Sequence, residues 1–291
     1  MRASSGLIVL LAASGCAGGG DHLSAGFGAR SPSGAAPVPA PQSDMPAAIV
    51  QPLSATWFRP STAGRSCPDA GLAGAVARFV CDCGPGAAAG CVPGDDAAEG
   101  SRAAPFRTYA KARAVFASMD PGQTVALCRG GSFAVEGDRD WTNPRCSAGL
   151  PCVLRDYAPA HLAAGSPPPV LRVADGHGIT LQNGGAARHE EGFVFLNLDL
   201  RSTSRGTAGN GFFFFNDVDD VLVCGTSIDG FAIGMHVAGS NAPGPGSDGK
   251  NARIVLRSSR VSNNGGQGWL GGCDGCGARG CGMLPLAAPS R

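Results

Sequence analysis

Lysine is nearly missing from this sequence. Of 23 basic residues only Lys111 and Lys250 are lysines, and the 291-residue chain carries a formal net charge of +1. No global field therefore draws it to nucleic acid or to an anionic membrane surface. The surplus of Arg accompanies a surplus of Ala and Gly and reads as coding bias, not phosphate recognition. Charged residues reach only 15% and aromatics 6%. That is well below the quarter usual for charge and argues against a long coiled coil or a salt-bridged helical bundle. The 46 glycines and 22 prolines follow no Gly-X-Y period, so the chain is not collagen. No apolar run approaches the ~18 residues of a transmembrane helix. What is abundant is Gly and Pro, at roughly twice their usual share, together with short apolar runs. This describes an all-β architecture with many turns, compatible with one elongated domain of up to about 250 residues.

The N-terminus sets the compartment. Arg2 supplies a short positive region, and Leu7-Ile8-Val9-Leu10-Leu11-Ala12-Ala13 an apolar core. This is a secretory signal, too short to span a bilayer. The tetrapeptide Ala13-Ser14-Gly15-Cys16 resembles a bacterial lipobox, although Leu is commoner at the place of Ala13. The resemblance implies that Cys16 is the lipidated first residue of a mature, membrane-anchored chain. An ordinary signal peptide followed by an incidental cysteine is the alternative. In a Gram-negative envelope Ala17, in place of Asp, implies the outer membrane. In residues 17–52, Ala, Gly, Pro and Ser make up 24 of 36 positions. Such a stretch cannot bury enough apolar surface to offset its ordering entropy and is expected to be a flexible tether.

Eleven cysteines follow Cys16, at 67, 81, 83, 91, 128, 146, 152, 224, 273, 276 and 281. Behind an export signal they read as disulfides. The odd number leaves at least one unpaired or paired between chains. Cys67, Cys81, Cys83 and Cys91 share one Gly/Ala-rich segment that local bonds could staple. Cys146 and Cys152 close a short loop. Cys273 and Cys276 have the spacing of a zinc half-site or redox pair. No second such pair exists, and the nearest His is His236, so zinc is not expected.

Three segments align. Those starting at Phe193, Val221 and Ile254 are offset by 28 and 33 residues. Each has apolar residues at its first and third positions (Phe193/Phe195, Val221/Val223, Ile254/Leu256) and an aliphatic at its eighth (Leu200, Ile228, Val261). A period-2 pair, a turn and another inward residue suit a chain winding in flat coils around an apolar axis. The longer offset comes from an inserted loop, residues 241–249. Apolar runs at 124–127, 152–154, 170–173 and 179–181 are expected to start the stack.

Two further stretches carry a family resemblance. Pro93-Gly94-Asp95-Asp96, Glu99-Gly100-Ser101 and Pro105-Phe106-Arg107-Thr108 resemble the N-terminal motif of right-handed parallel β-helix proteins of the pectate-lyase-like superfamily. Residues 120–127 resemble the strand that follows it, and Asn263-Asn264-Gly265-Gly266 a coil turn. The resemblance covers about residues 93–276. It implies a short, single-stranded right-handed parallel β-helix over 53–276, with a Cys-rich N-terminal insertion at 67–91. It also implies a capping helix. Thr108 is a plausible N-cap, Tyr109, Ala112, Phe116 and Met119 form one helical face, and Pro121-Gly122 end it. Residues 277–291 show neither a strand pattern nor a cap, so an irregular tail and a truncated chain are expected.

The fold hosts lyases, hydrolases and non-enzymatic surface proteins, so chemistry must come from residues. Asp199, Asp217, Asp219, Asp220 and Asp229 are the acidic candidates. Asp217, Asp219 and Asp220 are the calcium candidates among them, set against a reading as solvated turn formers. Asn197-Leu198-Asp199 followed by Asp219-Asp220 matches part of a polygalacturonase pattern. The pattern's His-Gly fails, since Val237 follows His236. Phe212, Phe213, Phe214 and Phe215 alternate inward and outward. The outward pair either stacks on sugar or is covered by loop 241–249. No catalytic set is complete. The expectation is an exported, lipid-anchored protein of the outer membrane or cell surface, a binding or structural module with carbohydrate as the ligand class and no resident cofactor. The alternative is a polysaccharide lyase or glycoside hydrolase acting on acidic polysaccharide.

Overall fold

The computed structural model describes residues 58, 67–68, 77–137, 139–163, 165–182, 190–240, 246–271, 277–279 and 282–283. The signal peptide, Cys16 and the tether lie outside them, as do Cys273, Cys276 and Cys281. Among the described residues no helix is long and apolar enough to cross a membrane.

Strand β1 (Ala77–Val80) precedes helix α1 (Tyr109–Ser118), which leads to β2 (Thr124–Cys128) and β3 (Ser132–Val135). Three-strand circuits follow. They are β4 (Cys152–Tyr157), β5 (Val170–Val173) and β6 (Ile179–Gln182); β7 (Glu190–Leu196), β8 (Asp199–Ser202) and β9 (Asn210–Phe215); β10 (Val218–Cys224), β11 (Ser227–Asp229) and β12 (Ile233–Ala238); and β13 (Ala252–Arg257), β14 (Arg260–Ser262) and β15 (Gln267–Leu270). Strands β16 (Gly277–Arg279) and β17 (Gly282–Met283) end the series.

The first sheet runs β1-β2-β4-β7-β10-β13-β16, the second β3-β5-β8-β11-β14-β17 and the third β6-β9-β12-β15. Every pairing between these strands is parallel. The chain thus visits the sheets in turn and returns one strand further along, a path consistent with a parallel β-helix. The aligned register holds: Val221 stands between Phe193 and Ile254, and Ile228 between Leu200 and Val261. The tail behaves otherwise than expected. Backbone pairing extends into residues 277–283 through β16 and β17. The Gly-rich sequence there carries no alternation to read. The pairing is made by main-chain groups left open at the edges of β13 and β14.

The two-residue turn from first to second sheet recurs in one column. Asn197, Gly225 and Ser258 all have left-handed backbone, at φ 55°, 65° and 47°. Each is followed by a buried residue (Leu198, Thr226, Ser259) that leads back to the core. Asn263 also adopts φ 55°, as its turn motif predicts. Its neighbour Asn264 does not pair with another Asn but accepts the Phe231 amide at 2.9 Å, one coil back.

The N-terminal motif is a fastening for α1. The Asp96 carboxylate accepts the Arg107 and Thr108 amides and the Thr108 hydroxyl at 2.6–2.9 Å. Burial raises the pKa of this carboxyl, but these bonds outweigh it and hold it below its ordinary value. Gly94 passes so close that a Cβ would meet the Phe106 and Pro105 carbonyls at 2.2 and 2.3 Å. Thr108 caps the helix by accepting the Lys111 amide. Tyr109, Ala112, Phe116 and Met119 are buried over the first strands.

The interior is one core, filled by rows such as Cys152–Phe193–Val221–Ile254 and Leu154–Phe195–Val223–Leu256. The first sheet is also apolar outside. Val153, Val194, Leu222 and Val255 form a second buried cluster with Phe58, against which Cys67 packs. Among the described residues four disulfides join Cys67–Cys224, Cys81–Cys128, Cys83–Cys91 and Cys146–Cys152. Cys146–Cys152 matches expectation. The Cys-rich segment is stapled locally only at Cys83–Cys91, because β1 inside that segment is itself a strand of the first sheet and carries Cys81 to Cys128.

Candidate functional site

Asp217, Asp219 and Asp220 are not solvated turn formers. Asp219 and Asp220 lie within β10, while Asp217 and Asp220 are buried. Asp220 (φ 52°) stands in a column with Gly192 (φ 78°) and Arg253 (φ 54°), all left-handed. Stacked in this way, Arg253 reaches back one coil. It donates to both Asp220 oxygens at 2.6 and 2.8 Å and to Asp219 Oδ2 at 3.0 Å. The bonds to Asp220, above all, push the guanidinium pKa further up and fix its charge. Asp219 Oδ1 accepts the Ala252 amide, and Asp217 Oδ2 the Asp248 amide. Calcium needs several carboxylate or carbonyl oxygens free to converge. Here a guanidinium already takes three of them, so this set does not fit the ion.

Asp199 and Asp229 lie elsewhere, on the outward face of the second sheet. Its inward row is Phe133, Leu171, Leu200, Ile228 and Val261, all buried. Alternation then turns two rows outward: Arg172–Arg201–Asp229–Ser262 and Val170–Asp199–Ser227–Arg260. Arg201 Nε donates to both Asp199 oxygens at 3.0 Å. That bond chiefly, and the nearby Asp229 charge, raise the Arg201 pKa. Asp229 Oδ1 accepts the Ser262 hydroxyl at 2.7 Å and the Asn263 amide at 2.6 Å. Arg172 donates to the Ser132 hydroxyl at 3.1 Å.

The outward face of the third sheet holds the aromatic candidates. Phe212 and Phe214 are buried inward, whereas Phe213 and Phe215 are half-buried outside. The His177 ring lies 4.9 Å from Phe213 and near-parallel to it, with His236 5.2 Å away on the next coil. His177 Nδ1 accepts the Asn210 amide, so its proton sits on Nε2. Burial lowers the pKa of both imidazoles, and Arg139 adds to the effect on His177. Two imidazoles crowd Phe213, leaving less open ring face for a sugar than the sequence alone implies. The first part of the loop expected to cover this face, residues 241–245, lies outside the described residues.

The sequence candidates therefore divide among three sheets: Asp219 and Asp220 on the first, Asp199 and Asp229 on the second, His236 and the Phe run on the third. The polygalacturonase-like order brings nothing together. Asp199 follows the turn out of the first sheet, while Asp219 and Asp220 begin a strand at its opposite end. Sequence reading missed Arg172, Arg201 and Arg260. The signal was available, since each stands one place from an inward residue already in the alignment or in an apolar run.

No family model matches the sequence, and no curated protein matches it. Two solved structures overlap it loosely. An alginate lyase from Paenibacillus sp. str. FPU-7 is 16% identical over 60% of this chain, with a TM-score of 0.32. Pectate lyase Pel9A is 12% identical over 66%, with a TM-score of 0.26. The chain spans 62% and 55% of their lengths. Overlaps this loose transfer no site residue.

Proposed function

We propose that the protein is an exported cell-envelope module, anchored by a lipid on Cys16, whose right-handed parallel β-helix binds carbohydrate without cleaving it. The supporting observation is the outward face of the second sheet. Arg172, Arg201, Asp229 and Ser262 stand in one row across four coils, with Asp199 and Arg260 in the row beside it. Successive coils are about 4.8 Å apart, so this is a regular array of donors and acceptors suited to a repeating chain of hydroxyls and carboxylates. The arginines favour an acidic polysaccharide. Asp199 and Asp229 are each held by donors of the same face, which suits fixed recognition better than proton transfer.

A lyase or glycoside hydrolase is the second reading, favoured by one feature: two carboxylates flank Arg201 on a single face. Incubation with polygalacturonate, alginate and dextran separates the two. We expect affinity for the acidic polymers, weakened in Arg201→Ala, and no release of unsaturated or reducing sugar with or without chelator. Sugar release would establish the enzyme. Equal affinity for dextran would end the acidic-ligand reading.

A further inference from the structure

We propose that a second site, a cavity of about 630 Å³ between the N-terminal motif and the end of β4, binds a small phenolic carboxylate. It is lined by Val92, Ala98, Arg102, Pro105, Tyr157 and Pro159, among others. Three observations carry this, and none depends on the polysaccharide face of the second sheet.

The first is the wall. It is made largely of Ala, Pro and Val, and Val92 is 53% exposed. Such a wall suits an apolar ring. A polyhydroxylated sugar would leave hydroxyls without partners against it. The second is Tyr157. It is 97% buried (relative exposure 3%), its ring braced edge-on by Phe79 at 4.9 Å. Yet among the described residues its hydroxyl has no hydrogen-bond partner. The hydroxyl oxygen is not sealed from solvent, so it opens into the cavity and its donor is free for a ligand atom there. Burial raises the pKa of this phenol to about 12, which keeps it a neutral donor at physiological pH.

The third is Arg102. Its guanidinium lies 5.9 Å from the Tyr157 ring centre and donates to the Ala158 carbonyl at 2.6 Å. Among the described residues it makes no ion pair with a carboxylate, so its remaining donors are available to one from outside. Asp95 also lines the cavity, but it is exposed and one of its oxygens accepts the Ala97 amide. Solvent therefore screens its repulsion of an anion. An apolar ring, one carboxylate and one hydroxyl acceptor describe a hydroxycinnamate-like acid.

The test is calorimetric titration of the full chain with ferulate, with its uncharged methyl ester and with galacturonate. Ferulate has about 14 non-hydrogen atoms and should bind with a Kd at or below roughly 1 mM. The ester should bind about tenfold more weakly, and Arg102→Ala should erase the difference between acid and ester. Tyr157→Phe keeps the ring and should weaken ferulate binding by about threefold or more. No ferulate binding at several millimolar, an ester that binds as well as the acid, or Arg102-dependent binding of galacturonate in place of ferulate would each overturn the proposal. If Arg102→Ala fails to fold, as its melting curve would show, the ester comparison and Tyr157→Phe decide.

Discussion

Leu222 and Val223 are neighbours in β10, both without solvent exposure, yet they belong to different cores. Val223 points inward between Phe195 and Leu256. Leu222 points outward into the cluster with Phe58, beside the Cys67–Cys224 disulfide. Period-2 reasoning alone makes the outward residue the tolerant one. The N-terminal segment removes that tolerance.

Val223→Asp and Leu222→Asp should therefore both destabilise by several kcal/mol, since each buries an unpaired carboxylate. They should differ in what rescues them. In a Cys67→Ser/Cys224→Ser background the outer cluster can open, and the added cost of Leu222→Asp should shrink while that of Val223→Asp persists. Denaturant melts of six proteins, each background alone and with either Asp substitution, check this. An unchanged cost for Leu222→Asp would mean that Phe58 and Cys67 do not govern the outer core.

The Cys67–Cys224 bond spans 157 residues. Its removal should cost about 2–5 kcal/mol. Cys83–Cys91 spans 8 residues and constrains the unfolded chain less, so Cys83→Ser/Cys91→Ser should lower the melting temperature by a smaller amount.

Calcium should leave the protein indifferent. An ion bound only by the folded state at ~100 times its Kd would add roughly 2.7 kcal/mol. With Arg253 already on Asp219 and Asp220, we expect a shift below about 1 °C in millimolar calcium, less than the ~2–4 °C that 1 kcal/mol gives at this size. A large saturable shift, lost in Asp219→Ala, would restore the metal site and favour a lyase.

Acid should loosen the third sheet. His177 and His236 titrate below the usual imidazole value because burial disfavours their charged forms. In the unfolded chain they take up protons near pH 6.5, and the folded protein resists doing so. Their contribution is therefore intact above about pH 6.5 and lost as pH falls through the lower folded values. Melting temperature measured from pH 7.5 to 5 should fall, and His177→Gln should flatten the slope. An identical slope in the variant would remove His177 as the cause.

The proposed lipid anchor places the attachment on Cys16. Cys16→Ser should abolish incorporation of labelled fatty acid and release the protein from membranes. Unchanged labelling in the variant would refute the lipoprotein reading.

The sequence by itself determined what neighbours along the chain enforce. Alternation around Phe193, Val221 and Ile254 set the strand register. Thr108, with the face from Tyr109 to Met119, set the helix, and Cys146 with Cys152 set a local bond. Only the tertiary structure decided which distant groups meet. Coil stacking carries Cys67 to Cys224, brings Arg253 onto Asp219 and Asp220, turns Arg172 and Arg201 into one row, and sets the Tyr157 ring near Arg102 at a cavity. The physical reason is range. Alternation and left-handed turns are settled by backbone sterics within a few residues. Contacts between successive coils, or across the whole stack, exist only once every intervening turn has closed, and no local pattern records them.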